Sequence, residues 1–348
     1  VACSIWLRLM KEQFPLQLAD AKRWLKRAAP LIFASLKSLN QGRQRLWGIP
    51  FVYCWRGRCF ALKERCLGFP ALRRQFLEKN GYEMDLNCPR SFNQKISWLK
   101  LQRVTPLQVQ AVDKASAKQL ALAWAKQHGL ALHAARTLAV VSRPAEIPWD
   151  SLPPRVVLKA THASGTVKFV DRTRGDRPAS LEPLLGSWLR YPYGVYKHEW
   201  VYWPVRRRLL VEEWLDADRA SGLVDYKFHM SRGCCFAIQV NEGFQTDERT
   251  RAILTPDWQP HDVHWIYSRP LSLPQCPSNL AEMLNLARLF SREFPYIRID
   301  LYNLPRTGGG FDIYFGEFTF FPASGCVDMR PRSFDFWLGE QIMLRAAS

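Results

Sequence analysis

The chain has 348 residues, of which 47% are hydrophobic and 13% aromatic, so it can bury one large core or two to three smaller ones. No run approaches the roughly 20 apolar residues of a membrane-spanning helix, which argues against a transmembrane segment in this sequence. The 49 Lys and Arg residues outnumber the 31 Asp and Glu residues and give a net charge of +18. This excess favours an anionic partner (phosphate, nucleic acid, membrane surface or acidic glycan), although a generally Arg-rich composition would also produce it.

The nine cysteines show no CxxC pair and no regular framework, and no signal-peptide pattern is found. Scattered thiols of this kind indicate a reducing environment. We therefore expect a cytoplasmic protein, with association to the cytoplasmic face of a membrane left open by its basic first part.

Residues 1–80 carry most of the excess charge, with 16 Lys and Arg against four Asp and Glu. Between residues 24 and 39, apolar side chains recur at helical spacing among basic ones, which predicts an amphipathic helix. Such a helix either docks on its own domain or lies against a membrane surface or an acidic partner. Residues 47–60 are predicted to form a small hairpin that turns at Arg56 and Gly57.

Two helices are predicted next. Residues 88–103 carry Ser91 three positions before Gln94, which is the spacing of a capping box ahead of an apolar run. Asp113 and Lys114 begin a second helix that continues to about Gln127. A third, amphipathic helix is predicted at residues 279–294.

A hairpin is predicted over residues 156–171, with its turn at residues 162–165. Centring the turn there places Lys159 opposite Lys168, and two facing ammonium groups repel unless an anion lies between them. Backbone N–H groups of the turn, which contains His162, Ser164 and Gly165, could bind the same anion. Two solvated lysines on an exposed face are the alternative.

A second hairpin is predicted over residues 296–325, because two β-type runs flank a turn rich in glycine. A turn centred between Gly308 and Gly309 places Asp300 opposite Glu317 and Arg298 opposite Thr319, all on one face. Facing carboxylates need a neutralising partner, for which Mg²⁺ is the natural candidate, and the arginine would suit a phosphate or carboxylate. A solvated acidic strand face is the alternative.

Several of these motifs carry a family resemblance. Arg-Ile-Asp at residues 298–300, followed by Gly-Glu-Phe-Thr-Phe-Phe-Pro at residues 316–322, resembles the C-terminal signature of ATP-grasp enzymes. The capped segment at residues 88–103, the hairpin turn and Asp-Tyr-Lys-Phe at residues 225–228 are similar to the TupA-like ATP-grasp family, over roughly residues 88–340. Ala163 and Thr166 stand at two positions where that family has glycine.

The resemblance implies an α+β protein of the ATP-grasp fold, in which two α+β subdomains grip ATP between them, with a basic helical N-terminal extension. The expected divisions are residues 1–85 (the extension), 86–153 (a helical first part), 154–213 (the small subdomain with the phosphate loop) and 214–348 (the C-terminal subdomain with a Mg²⁺ site).

The resemblance also implies residue roles. Arg298 and Lys227 are expected to act in catalysis, and Asp300, Glu317 and Thr319 to bind Mg²⁺, with Thr319 in place of the family's usual Asn. The residues expected to bind ATP are Lys159, His162, Ser164, Gly165, Lys168, Glu212, Trp214 and Leu215.

The activity implied is an ATP-dependent ligase that joins a carboxylate to an amine or amino acid through an acyl phosphate. The family further implies a uronic acid of a bacterial surface polysaccharide, or its precursor, as the carboxylate, and homodimers occur among ATP-grasp enzymes. A glycosyltransferase is the alternative, for which Asp216-Ala217-Asp218 is the only Asp-x-Asp candidate. No nucleic-acid partner is expected, because no recognised nucleic-acid-binding motif is present.

Overall fold

The computed structural model describes residues 50–191, 193–215, 223–243 and 249–344. Residues 56–348 form one compact unit, to which all three sheets and both cavities described below belong. None of the helices in these ranges has the length and apolar composition needed to span a bilayer.

Eight α-helices lie in the described ranges, and local capping explains where three of them begin. Ser91 and Thr105 each form a capping box with a glutamine three residues later, and the Asp113 side chain accepts from the Ala115 N–H at 3.0 Å. The helices are α1 (Pro50–Cys66), α2 (Pro70–Asn80), α3 (Phe92–Leu99), α4 (Pro106–Val112), α5 (Lys114–Gln127), α6 (Pro178–Arg190), α7 (Leu280–Ser291) and α8 (Ser333–Glu340).

The twelve strands of the described ranges form three sheets. A six-stranded sheet has the order β1-β11-β10-β6-β7-β8, a four-stranded sheet has the order β2-β5-β3-β4, and β12 pairs with β9. The strands are β1 (His133–Ala134), β2 (Thr137–Val141), β3 (Arg155–Ala160), β4 (Val167–Asp171), β5 (Leu209–Glu213), β6 (Asp225–Ser231), β7 (Cys234–Glu242), β8 (Thr250–Leu254), β9 (His264–Trp265), β10 (Ile297–Pro305), β11 (Phe311–Thr319) and β12 (Met329–Arg330).

The six-stranded sheet has one apolar and one polar face because its central strands alternate in sequence. Ile297, Ile299 and Leu301 of β10 point into the largest core, together with Tyr226 and Phe228 of β6. Helices α5 and α7 supply the other side of that core. The residues between these apolar positions lie on the other face. Part of that face is covered by a second core, in which Ala237 and Ile253 pack with Phe92 of α3 and Leu338 of α8. The polar side chains of the candidate site lie on the part of that face outside this core, called the uncovered face below.

The four-stranded sheet follows the same rule. Val156 and Leu158 of β3 and Val211 of β5 pack with Leu181 and Leu185 of α6 in a separate core. The opposite face carries Val157, Lys159 and Phe169, together with Glu212, which is directly paired with Val157. This second uncovered face is the other wall of the candidate site.

The helices predicted at residues 88–103, 113–127 and 279–294 are confirmed as α3, α5 and α7. The hairpin predicted at residues 47–60 is wrong, since residues 50–66 form helix α1, which runs through the proposed turn at Arg56 and Gly57. A glycine next to arginine does not make a turn when Leu, Ala and Lys on the far side continue the helix. Gly57 also lets α1 approach the Trp203 ring, which a Cβ there would meet at 3.3 Å.

Two predictions lie outside the described residues: the amphipathic helix at residues 24–39 and the Asp216-Ala217-Asp218 motif.

Candidate active site

The two uncovered sheet faces enclose a first cavity of about 290 Å³. Its walls come from β3, β4 and β5 on one side and from β6, β10 and β11 on the other, and the start of α5 closes one end with Lys114 and Lys118. Nine of the thirteen predicted site residues line this cavity: Lys159, Ser164, Gly165, Glu212, Trp214, Leu215, Lys227, Asp300 and Glu317.

The predicted pairing within the β10–β11 hairpin is confirmed at the site. Asp300 pairs with Glu317 and Arg298 with Thr319. Near the turn, Pro305 pairs with Phe311, so the turn is centred on Gly308 and not between Gly308 and Gly309 as predicted. A bulge opposite the step from Asp300 to Leu301 then shifts the pairing by one residue and restores the predicted register at the site. Gly316 is the extra residue of that bulge, and a Cβ there would lie 2.9 Å from the Asp300 carbonyl oxygen. Only glycine fits this close approach without a shift of the backbone.

Asp300 is 1% exposed, and cations engage both of its oxygens. Arg298 grips it with two hydrogen bonds of 2.7 Å, from Nε to Oδ1 and from Nη2 to Oδ2. Lys227 donates to Oδ2 as well. Two-point contact of this kind fixes the guanidinium plane, so Arg298 is held in place before a substrate arrives.

Glu317 is the second carboxylate of the pair. Lys114 Nζ lies 3.1 Å from Oε2, while Arg298 Nη2 lies 3.3 Å and the Thr319 hydroxyl 3.2 Å from Oε1. Burial alone would raise the pKa of Glu317, but the charges of Lys114 and Arg298 outweigh it and hold that pKa far below its ordinary value. Glu317 is therefore a carboxylate at every physiological pH.

Asp225 adds a third carboxylate to the same wall, and sequence reasoning gave it no role. One oxygen lies 2.5 Å from Lys227 Nζ, whereas the buried Oδ1 has no hydrogen-bond partner. Burial raises the pKa of Asp225, with the Lys227 charge opposing this and the Asp300 charge adding to it. A buried carboxylate oxygen without a donor costs free energy unless a cation or donor reaches it.

These residues fit a magnesium ion that also binds phosphate. Mg²⁺ takes oxygen ligands and is usually held by one or two carboxylates, with substrate phosphates and water completing its shell. Asp225, Asp300 and Glu317 supply carboxylate oxygens to one cavity wall. In the described part of the chain no three His, Cys, Asp or Glu side chains lie close enough to hold a metal by themselves, so phosphate oxygens would be needed.

Glu212 on the opposite wall holds two more lysines. It is 2% exposed, with Oε1 at 2.5 Å from Lys118 and Oε2 at 2.6 Å from Lys159. Burial favours the protonated acid, but the two ammonium charges prevail and lower the pKa of Glu212. Both oxygens thus bind lysines, and the expected contact of Glu212 with ATP stays a prediction.

The predicted pairing of Lys159 with Lys168 is wrong. Lys159 pairs with Val167, and Lys168 pairs with Leu158, so the two ammonium groups lie on opposite faces of the sheet. The turn is centred on Ala163, because the Ala160 N–H donates to Thr166 O at 3.3 Å and closes the hairpin there. Thr161 continues the pairing toward β5: its N–H donates to Arg208 O at 3.0 Å and its hydroxyl to Arg206 O at 2.8 Å. The loop therefore begins one residue early, and Lys168 lies outside the cavity with Asp176 3.8 Å away.

Only some of the residues predicted to bind ATP in the loop after β3 line the first cavity. Ser164 and Gly165 line it, and Gly165 has φ +75°, a conformation that suits glycine. His162 is buried outside both cavities, and burial lowers its pKa to about 4. Ala163, where the family has glycine, is fully buried and packs against Ala160 and Tyr193.

An aromatic surface lies beside these lysines. Trp214 and Leu215 line the first cavity directly after β5, and the Trp214 ring lies 4.9 Å from the ring of Phe169. Trp214 Nε1 is buried without a hydrogen-bond partner. The pair offers an apolar surface for a flat ring.

A second cavity of about 380 Å³ adjoins the first. Ser164 lines both, while Arg298 and Thr319 face the second, so the predicted metal ligand Thr319 is separated from the wall that carries Asp300. The Thr319 hydroxyl accepts from Arg298 Nη2 at 3.1 Å. Its role as a ligand stays a prediction.

Sequence reasoning missed Asp225, Lys118 and this second cavity, and it placed Lys114 only at the start of a helix. A signal existed for Asp225, because it alternates with Lys227 on the strand that pairs with β10. No sequence signal links Lys118 to Glu212, since a helix and a distant strand bring them together only in the fold.

Comparison with known proteins agrees with this architecture. The family model described as TupA-like ATPgrasp matches residues 94–343, which include both sheets and every residue named for the first cavity. The predicted α+β class and ATP-grasp fold are thereby confirmed. No curated protein matches the chain in sequence.

Solved structures of ATP-grasp enzymes resemble the chain distantly. D-alanine–D-alanine ligase from Helicobacter pylori is 15% identical with a TM-score of 0.37, covering 74% of this chain and 68% of that one. The ATP-grasp ligase PsnB, complexed with a phosphomimetic precursor variant, Mg and ADP, is 9% identical with a TM-score of 0.32, covering 62% and 52%. The chain thus spans about half the length of PsnB, and likeness at this level transfers no residue role.

Proposed function

Because the chain belongs to the TupA-like ATP-grasp family, which supports an ATP-dependent ligase, we propose that it is an ATP- and Mg²⁺-dependent carboxylate–amine ligase. One observation carries the proposal. In the first cavity, Lys114, Lys159 and Lys227 are ion-paired with carboxylates from both sheets. Arg298, which faces the adjoining cavity, binds Asp300 and Glu317 of the same site. Such a site neutralises the charge that develops when a phosphoryl group moves.

The nucleotide would lie across the first cavity. Its base packs against Trp214, Leu215 and Phe169, and its phosphates extend along Ser164 and Gly165 toward Lys159 and Lys227. Asp225, Asp300 and Glu317 are the residues that would hold Mg²⁺, which when bound neutralises phosphate charge. Lys114 and Lys227, now paired with these carboxylates, would turn toward the phosphates.

The reaction uses ATP as phosphoryl donor. A carboxylate oxygen of the acceptor attacks the terminal phosphorus, the bond to ADP breaks, and an acyl phosphate forms. The amine nitrogen then attacks the acyl carbon, phosphate leaves with the bonding electrons, and the amine loses a proton to give an amide. Arg298, held by Asp300 and Glu317 and facing the second cavity, stabilises the transferring group from the acceptor side.

The acceptor and location are finer parts of the proposal. We assign the carboxylate to a uronic acid of a surface polysaccharide or its precursor, and the amine to an amino acid or small amine, on the strength of the family and the net charge of +18. We assign the reaction to the cytoplasm because it consumes ATP. A homodimer and contact of the basic N-terminal region with a membrane or an acidic glycan belong to the same proposal.

ADP release tests this function. Wild-type protein is incubated with ATP, Mg²⁺ and panels of uronic acids and amines, and we expect ADP release that requires both a carboxylate and an amine. Lys159→Met should reduce the rate at least tenfold, because it removes a cation from the phosphate side. Lys168→Met, on the same hairpin but outside the cavity, is the matched control and should match wild type. Sugar transfer from a nucleotide sugar without ATP would instead support the glycosyltransferase alternative.

A further inference from the structure

The second cavity carries cations of a different kind from those of the first. In the first cavity each lysine named above is paired with a carboxylate. In the second, Lys79 of α2 and Lys197 line the wall, both exposed, and neither has a carboxylate within ion-pair distance among the described residues. Two cations without a counter-ion beside one cavity favour an anionic ligand.

The remaining lining suits a polar ring. Tyr193, Tyr202 and Phe321 supply aromatic surfaces, and Gln75, Glu199 and Ser324 supply polar atoms. Glu199 is 3% exposed. Burial raises the pKa of Tyr193, and the charge of Glu199 and its hydrogen bond with Tyr193 raise that pKa further. Lys197 Nζ lies 5.4 Å from the centre of the Tyr193 ring. A small concave site with a few fixed polar groups is typical of small-molecule binding.

The floor of this cavity is held rigidly. Ala323 and Ser324 adopt φ +45° and +59°, which costs free energy for residues with a side chain. The buried Lys100 stabilises the turn by donating to Ser324 O at 2.8 Å and to Ser324 Oγ at 3.2 Å. Arg298 and Thr319 also line this cavity, and Arg298 binds Asp300 of the first cavity, so a ligand here would contact the proposed phosphoryl-transfer site.

We propose that the second cavity holds the acceptor, and that this acceptor is a small sugar acid carrying a second anionic group, a phosphate, bound by Lys79 and Lys197. Its carboxylate lies toward Arg298 and its sugar ring lies between the aromatic side chains. The ligase then acts on a phosphate-bearing precursor rather than on a finished polymer. This inference rests on the proposed ligase function and names the acceptor class for it.

Calorimetric titration tests the inference, with protein first saturated with ADP and Mg²⁺. The probes are glucuronic acid 1-phosphate, glucuronic acid and glucose 1-phosphate. We expect wild type to bind the first at least tenfold more tightly than either of the others, because only it carries both anions. Lys79→Gln with Lys197→Gln should abolish the advantage over glucuronic acid. Lys126→Gln, an exposed lysine of α5, is the matched control.

The outcomes separate the two proposals. Failure of wild type to bind ADP with Mg²⁺ would contradict the proposed function itself. Normal ADP binding with no preference for glucuronic acid 1-phosphate, or a preference that survives in the double lysine variant, would overturn the acceptor assignment alone. The double variant must also bind ADP as wild type does, which shows that it is folded.

Discussion

At the scale of single residues, the candidate site consists of charges that are partnered before any ligand binds. Glu212 holds Lys118 and Lys159, and Asp300 holds Arg298 and Lys227. Breaking a buried pair by removing one partner leaves an uncompensated charge and is far more costly than the pair is favourable. Substitutions in this set therefore need a folding control beside any activity assay.

Site residues were predictable from the sequence where the alternation of side chains along a strand places them on one face. Asp300 and Glu317 follow from a hairpin pattern that can be counted along the chain. Asp225 alternates with Lys227 along one strand, but the sequence could not show that one of its oxygens has no hydrogen-bond partner, since that is a result of packing. Lys100, buried beneath the second cavity, was missed for the same reason.

The buried Lys100 side chain predicts how the free energy of unfolding depends on pH. Burial lowers the pKa of its ammonium group from 10.5 to about 8. Between these values the unfolded chain binds a proton that the folded chain does not, so the free energy of unfolding gains a term that rises with pH. Relative to Lys100→Met, wild type should gain up to about 3 kcal/mol between pH 8 and 10.5.

Urea unfolding at a series of pH values measures this term, and Lys126→Met, at an exposed position, controls for the loss of one lysine. Parallel pH profiles for wild type and Lys100→Met would show that the buried ammonium group keeps its ordinary pKa.

At the scale of elements, two hairpins show how far the predicted position of a turn determines which strand residues pair. The β10–β11 pairing was predicted correctly at the site, although the turn is centred on Gly308 and a bulge at Gly316 compensates. In the β3–β4 hairpin, Lys159 pairs with Val167, one residue away from its predicted partner Lys168, because the turn is centred on Ala163. A one-residue slip moves every side chain to the other face, which is how Lys168 left the site.

The bulge yields a prediction of its own. Gly316→Ala would bring a Cβ within 2.9 Å of the Asp300 carbonyl oxygen and 3.1 Å of the Tyr302 ring, so the strands must shift. We expect a loss of about 1–3 kcal/mol in the free energy of unfolding and weaker nucleotide binding, since Asp300 moves. Gly186→Ala in α6, which meets only the flexible end of Arg190, should leave stability unchanged or improved. Equal stability of the two variants would refute the close approach.

At the scale of the whole molecule, fold class was predictable because motifs spread over most of the chain agree with one family, and the match to residues 94–343 confirms it. The two cavities were not predictable, since each is a space between elements far apart in sequence. The second joins α2, the chain around Tyr193 and the turn after β11. Helix α1 was also missed, because its mixture of aromatic and basic residues shows no clear amphipathic period.

The central claim is that ATP and Mg²⁺ bind together on the carboxylates of the first cavity. Calorimetric titration with the non-hydrolysable analogue AMPPNP, with and without Mg²⁺, tests it most directly. The variants are Asp300→Asn and Glu317→Gln, with Asp312→Asn on β11 as the matched control, because that carboxylate pairs with Arg306 outside both cavities. Circular dichroism of each variant establishes that it is folded.

We predict that wild type and Asp312→Asn bind the analogue only when Mg²⁺ is present, and that each site variant binds at least tenfold more weakly while remaining folded. Binding that is independent of Mg²⁺, or equal in wild type and in both site variants, would contradict the account.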